Sequence, residues 1–483
     1  MKYISTRGGD EAFSSKEAIL QGIARDGGLY LPIEIPSLSP RIFKNYRELA
    51  IEILEKIFDD FSREELQYCI DNAYDDKFSV KDIVQGIPMD QNLILELFHG
   101  KTSAFKDFAL SILPYFMELA TQDKKEEIAI LTATSGDTGK AALEGFKDID
   151  QTKIIVFYPT EGVSEIQKYQ MMTQEGSNTY AIGIHGNFDE AQSALKQVFN
   201  DKELLQSLQQ KNIGLSSANS INIGRLIPQM IYYYYGYSEM VKQGIIQLGD
   251  RVNIAVPTGN FGNILAAFLA KLMGLPVKDF ICVSNRNNVL TDFFKTGIYD
   301  RRRDFYKTNS PSMDILISSN LERFLYIKTN NNGNLVKQWM EELQEKGHYQ
   351  IDNRTRENMK DFKGYTLNDE ETIEIIQKYY DERGYLCDTH TAVCLGAVEK
   401  YEKDEGKWPT IIASTASPYK FPKAVGSALD LTGDDFQLLD QIYRKTKVPI
   451  PTPLQGLQDK TITQNLRIEK TEIKKCINKI LGV

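Results

Sequence analysis

The chain of 483 residues is 42% hydrophobic and 25% charged, a globular composition long enough for two or three domains with cores of their own. Fifty-seven basic against 66 acidic residues give a formal charge of −9, which repels polyphosphate backbones and argues against nucleic acid as a partner. Five scattered cysteines without CxxC spacing, four separated histidines and the lack of a signal-peptide-like start or a membrane-length apolar run lead us to expect no disulfide framework, no metal and no membrane, and a cytoplasmic protein.

Residues 1–91 read as a mostly helical N-terminal domain after an extended start. In "NYRELAIEILEKIFDDF" the apolar side chains recur at helical spacing, and "SREELQYCIDNAY" opens on Ser62 with Glu65 three residues on, a capping signal. From residue 92 short apolar strands alternate with helices: "LILELF", a helix over 105–121, "EIAILTAT", a helix over 138–147, "KIIVFYP", a helix over 162–175, "TYAIGI" and a helix over 188–200. That alternation predicts parallel sheets wrapped by helices. The tyrosines at 232–235 follow "GRLIPQMI" at helical spacing and read as a buried helix face, not a stacking platform for bases. A second run begins at "RVNIAVPTGN" and continues through the helix "NILAAFLAKLMG" to "KDFICVSN". Residues 285–385 are more polar and read as an insertion or cap, after which "TIIAST" and the amphipathic "TEIKKCINKILG" complete the chain.

Two loops carry chemistry. In "ILTATSGDTGKAALEGF" a strand runs through a small-residue turn into a helix. Unpaired N–H groups there, with the hydroxyls of Thr134, Ser135 and Thr138 and turns at Gly136 and Gly139, form a cup for an anion. The spacing is wrong for a P-loop, because only Asp137 and Thr138 separate the glycines. The stretch "VPTGNFGNILAAF" repeats the device: Gly259, Asn260, Phe261, Gly262 and Asn263 lead into an apolar helix whose dipole favours a dianion. Two cups at strand carboxyl ends imply two anions. Lys106 stands beside a small-residue turn and directly before an apolar helix, where a desolvated amine loses its proton more readily and becomes a nucleophile able to form an imine.

The blocks "HGKTSAFKD", "TSGDTG" and "PTGNFGN" together resemble threonine synthase, a fold-type-II family dependent on pyridoxal 5'-phosphate. The likeness runs through almost the whole chain in order: "YISTRGG", "EAILQGIARDGGLYLP", "YPTEGVSEIQKYQMMT", "GNFDEAQSALKQVF", "SSANSINIGRLIPQ", "SPSMDILISSNLERF", "CDTHTAV" and "ASTASPYKFP". It implies an α/β architecture of two parallel-sheet domains with the cofactor between them. The larger comprises 92–110 and 226–483, the smaller and mobile one 111–225, beside the helical domain 1–91.

By that resemblance Lys106 is the catalytic lysine that holds the cofactor as an imine and carries protons, and Gly259 to Asn263 cradle the cofactor phosphate. Thr134 to Gly139 would take the substrate α-carboxylate, and Thr415 would set a hydroxyl beside the pyridine nitrogen. Lys101, Asn219, Ser220, Asn222 and Arg225 are candidates for the phosphate of the substrate, with local capping as the competing role for the asparagines and the serine. His390 is a packing or catalytic residue and His99 a loop-orienting or substrate-side one, while Asp137 stands where relatives carry Asn and reads as a helix cap. The implied reaction is a γ-elimination and β-addition that turns O-phospho-L-homoserine and water into L-threonine and phosphate, the last step of threonine biosynthesis, in a monomer or homodimer. A related phospho-lyase or threonine/serine dehydratase, or a cofactor-binding paralogue without turnover, are the alternatives. Ser417 replaces a common His and Lys101 a common Pro, departures that bear on phosphate recognition and not on the imine.

Overall fold

A computed structural model describes residues 1–9, 11–122, 126–134, 136–160, 163–186, 188–199 and 201–483. The chain opens on β1 (Tyr3–Ser5), which pairs antiparallel with β2 (Tyr30–Pro32). Two helices follow, Tyr46–Ile57 and Arg63–Tyr74; Ser62 caps the second and Glu65 completes its capping box, as the sequence predicts. Their apolar stripes, with Leu49, Ile53, Leu66 and Ile70 fully buried, join the core that lies behind the larger sheet.

β3 (Gln85–Met89) turns back antiparallel onto β4 (Asn92–Glu96). The boundary expected after residue 91 therefore falls inside a hairpin, and β3 belongs to a sheet. Next come β5 (Glu127–Ala133), β6 (Thr152–Pro159), β7 (Thr179–His185) and β8 (Ile213–Ser217), then β9 (Val252–Pro257) and β10 (Val277–Ser284). β11 (Ile298–Asp300) and β12 (His348–Gln350) form a small antiparallel pair, and β13 (Phe362–Thr366), β14 (Thr410–Ser414) and β15 (Arg467–Glu469) end the series.

The larger sheet has the order β13-β10-β9-β14-β4-β3 and is parallel except for β3; the smaller, β15-β7-β6-β5-β8, is parallel throughout. Every residue of β9 and β14 is buried, which is why both are mostly apolar without the alternation of a half-exposed strand: helices cover both faces of a parallel sheet. The four tyrosines lie buried on the helix Gln229–Lys242, as expected.

Four details differ from the sequence reading. The helix expected over 105–121 is two, Asp107–Leu110 and Leu113–Thr121, because Pro114 lacks the N–H needed to continue the first and fits only the opening turn of the second. The helix Lys202–Gln210 and strand β8 fill a stretch left without structure. The polar segment 285–385 is no separate cap, since its β13 forms an edge of the larger sheet. Finally, the chain does not end on the larger lobe: β15 pairs with β7, and the helix Ile473–Leu481 buries Ile473 and Ile477 against Leu131, Ile155 and Ile182 of the smaller sheet. A three-residue strand after a polar run carries no period to read.

Arg323, with no exposed surface, donates to the carbonyls of Tyr30 and Ile221 and to Asn320 Oδ1, tying the N-terminal strand pair to both lobes. The lobes also meet backbone to backbone where a Cβ added at Gly145 would overlap the Leu110 carbonyl oxygen. Gly145→Ala is therefore expected to destabilise the chain by about 1–3 kcal/mol, read as a lower urea midpoint. An unchanged midpoint would mean that the helix shifts freely.

Candidate active site

The loops at the carboxyl ends of β4, β5, β8, β9 and β14 hold the residues singled out by sequence, the place where open parallel sheets bind ligands. After β4 the chain passes through Thr102 and Ser103 to Lys106. Both oxygens of the buried Asp107 carboxylate are taken up by Thr102, 2.8 Å from its N–H and 2.6 Å from its hydroxyl. Burial lifts that carboxyl to about 6 against the pull of these bonds. Ser103 adopts a left-handed φ of 59° and leaves its buried hydroxyl without a described partner, a strained turn of the kind found beside functional groups.

The Lys106 amine sits over the Phe105 ring, 4.6 Å from its centroid, and 3.5 Å from Asp137 Oδ2, with its side chain 12% exposed. Burial lowers its pKa below the ordinary lysine value, Asp137 pulls it back up, and the Arg225 and Lys420 charges push it down again. Burial alone would raise the Asp137 carboxyl, yet Lys420, Lys106 and the Gln167 amide hold it well below the usual carboxylate range. Asp137 is thus an ionised partner of two ammonium groups and makes no side-chain cap at the helix Asp137–Gly145, contrary to the expected role.

Along Gly259 to Asn263 no backbone N–H donates to a described acceptor, so a whole helix entrance is left open to an anion. The cup is built tightly: Asn320 N–H and Nδ2 both bond the Asn260 carbonyl, and Ser318 Oγ bonds that of Gly259 at 2.7 Å. Phe261 holds a left-handed φ of 62°, a cost offset by its ring, which packs 5.3 Å from that of Phe324. The Ser312 carbonyl oxygen covers Gly259 so closely that a Cβ there would overlap it. His390 fixes that turn: Ser312 N–H donates to its Nε2 at 3.1 Å, so the ring proton sits on Nδ1 and bonds Asp388 at 2.8 Å. The imidazole is therefore neutral and acts by packing and hydrogen bonding.

In the other cup the N–H groups of Asp137 and Thr138 likewise meet no described acceptor. Arg225, 3% exposed, has no carboxylate among its described partners; one Nη bonds the Ala218 carbonyl, and Nε meets no described acceptor. Burial brings its guanidinium down to about 10. Ser220 borders the cup at Gly259 to Asn263, its Cβ 3.9 Å from where one on Gly262 would lie. Thr415 gives its carbonyl to Phe105 N–H at 2.8 Å and leaves its hydroxyl without a described partner.

Other predicted contacts do not survive as drawn. Both polar atoms of the Asn222 side chain are used, Nδ2 by the Ile19 and Ser217 carbonyls and Oδ1 by Gly224 N–H, so it braces its loop and offers nothing to substrate. Thr134 Oγ1 accepts from Gly136 and Gly139 N–H, and Asn263 Oδ1 from Tyr232 and Tyr233; of these two, Asn263 keeps its backbone N–H and its buried Nδ2 without a described partner. Lys101 is exposed, whereas Arg225 and Lys420 are buried. Asn219 is half-buried, its N–H on Ser217 Oγ. Ser135 lies outside the described residues. His99 bonds Glu96 at 2.8 Å and its carbonyl takes Ser79 N–H, a loop-orienting role. Ser417, buried at 1%, caps Tyr419 N–H.

Sequence reasoning missed Lys420, which has no exposed surface and lies 3.1 Å from Asp137 Oδ1, together with Gln167 and Gln170 beside it. The signal was a lysine enclosed by apolar and proline residues in "SPYKFP" at a strand end.

A buried amine held at reduced pKa and an open anion cup, both in loops at the carboxyl ends of parallel strands, are features of the fold-type-II enzymes dependent on pyridoxal phosphate. Residues 92–413 match the family model "Pyridoxal-phosphate dependent enzyme", residues 2–74 "Threonine synthase N terminus" and residues 391–476 "Threonine synthase, C-terminal". The chain is 34% identical to threonine synthase of Schizosaccharomyces pombe over 96% of its own length and 94% of the relative's. It is 39% identical to human "Threonine synthase-like 1" over 95% of its length, spanning 63% of that protein. The crystal structure of PLP-bound threonine synthase from Brucella melitensis superposes with a TM-score of 0.88 at 32% identity, covering all of both chains. The chain belongs to the threonine synthase family.

Proposed function

We propose that the protein is a threonine synthase, converting O-phospho-L-homoserine and water to L-threonine and phosphate. One observation carries the reading: the buried Lys106 amine is accompanied by two open anion cups and by Arg225, a guanidinium without a carboxylate partner among the described residues. A substrate with a carboxylate at one end and a phosphate at the other matches that charge arrangement. When bound, pyridoxal phosphate supplies the electron-withdrawing ring that acidifies hydrogens of an amino acid.

The residues present fit that group. Gly259 to Asn263 would hold its phosphate through backbone N–H, Thr415 Oγ1 would face its ring nitrogen, and Lys106 would hold it covalently. The Asp137 and Thr138 N–H groups would take the substrate carboxylate, and Arg225, with Asn219 and Ser220, the substrate phosphate. The Lys106 amine, when free, would take the α-proton and return it elsewhere on the carbon chain.

The purified protein, loaded with pyridoxal phosphate and given O-phospho-L-homoserine, is expected to release phosphate and threonine in equal amounts. Release of 2-oxobutyrate in place of threonine would turn the assignment to a lyase. A loaded protein that releases nothing would turn it to a binding paralogue.

A further inference from the structure

Lys420 has no part in the readings above. Its ammonium group is fully buried at the end of the turn Pro418–Lys420 on the larger lobe, and its partners bind it from three other segments. It lies 3.1 Å from Asp137 Oδ1 on one helix of the smaller lobe, bonds Gln170 Oε1 on another, and donates to the Thr102 carbonyl at 3.0 Å on the loop that leads to Lys106. Gln167 Nε2 donates to the same Asp137 oxygen at 2.7 Å. The carboxylate is thereby held at one oxygen, and its other, Oδ2, faces the Lys106 amine at 3.5 Å.

We propose that Lys420 is a positioning residue for the Lys106 amine, fixing Asp137 so that one carboxylate oxygen stays bound to Lys420 while the other orients the amine. Ion pairs this deep are costly to assemble and severe to break on one side, so a cation with no exposure is kept for what it positions. Sharing matters here. An Asp137 serving Lys106 alone would clamp the proton on the amine and make it a poorer nucleophile, whereas an Asp137 already neutralised by Lys420 directs the amine without disarming it. The other charged groups nearby are Arg225 toward Lys106, and Lys140 and Asp107 toward Lys420, with Glu144 behind them and the neutral His390 beyond Asp137.

The inference rests on the reading that Lys106 captures pyridoxal phosphate, and the test separates the two. The apoprotein is mixed with pyridoxal phosphate at a series of pH values, the adduct is fixed with borohydride and located by peptide mass spectrometry, and its rate of formation is plotted against pH. Capture needs the neutral amine. Removing a neighbouring positive charge lets the amine keep its proton to higher pH, so Lys420→Met is expected to move the midpoint up by about one pH unit; Asp137→Asn removes the opposing charge and is expected to move it down by a similar amount. A purely structural Lys420 would slow capture at every pH and leave the midpoint in place, which overturns the proposal. Should Lys420→Met not fold, Asp137→Asn decides alone: a downward shift supports the shared carboxylate and a fixed midpoint overturns it. A wild-type chain that captures no pyridoxal phosphate overturns the cofactor reading itself and this inference with it.

Discussion

Lys106→Ala is expected to lower turnover by at least about 10^4-fold, the upper range for removing a positioned acid or base, and to remove the covalent anchor of the cofactor at the same time. The loss is of chemistry and not of fold. Lys106 is one of two lysines paired with a single carboxylate, and taking it away leaves Asp137 with Lys420 at 3.1 Å and the Gln167 amide at 2.7 Å. No buried anion is orphaned, so the urea midpoint should stay near that of the wild type. Two measurements check this: the visible absorption of the loaded protein, which should be lost in the variant, and mass spectrometry after borohydride, which should find no cofactor on the peptide containing residue 106. A variant that keeps both the band and the activity would show that another amine does the work.

The pH behaviour follows from the same surroundings. Burial and the charges of Arg225 and Lys420 hold the Lys106 amine below the ordinary lysine value, so the neutral, reactive form persists to lower pH than for a surface lysine. The acid limb of the activity profile should accordingly lie below the pH at which surface lysines titrate.

What the sequence could disclose depended on the kind of interaction involved. Strands β9 and β14 were legible because a parallel sheet covered on both faces favours mostly apolar runs without alternation, and the two cups because a strand, a small-residue turn and a helix leave N–H groups that need a partner. Lys106 stood out by its place ahead of an apolar helix. The return of β15 to the smaller sheet was not legible, since three residues carry no period and their pairing with β7 spans most of the chain. Asn222 and Thr134 were misjudged for a related reason. Short polar side chains serve loops and ligands with the same atoms, and only the positions of Ile19 O, Ser217 O and Gly139 N–H settle which. Lys420 escaped because its meaning lies in partners some 250 to 318 residues away in the chain.

Gly259→Ala carries the second large expected effect. The glycine is not there for a left-handed turn; it is there because the Ser312 carbonyl oxygen lies where a Cβ would go. That oxygen cannot swing aside as a side chain would. Its residue is held through its own N–H by His390, which Asp388 orients in turn, and Ser318 grips the Gly259 carbonyl from the same segment. A methyl group must therefore displace backbone on one side of the cup or the other, at an overpacking cost of about 1–3 kcal/mol. Because the N–H groups of Gly259 to Asn263 are the donors aimed at the phosphate, the displacement is expected to weaken pyridoxal phosphate binding by about 10- to 100-fold. Pyridoxal without the phosphate, which makes no use of those donors, should lose much less. Titrating both compounds into wild type and variant distinguishes this from general loosening: equal losses for the two would place the phosphate elsewhere than at the cup, and no loss for either would mean that the loop carrying Ser312 yields without consequence.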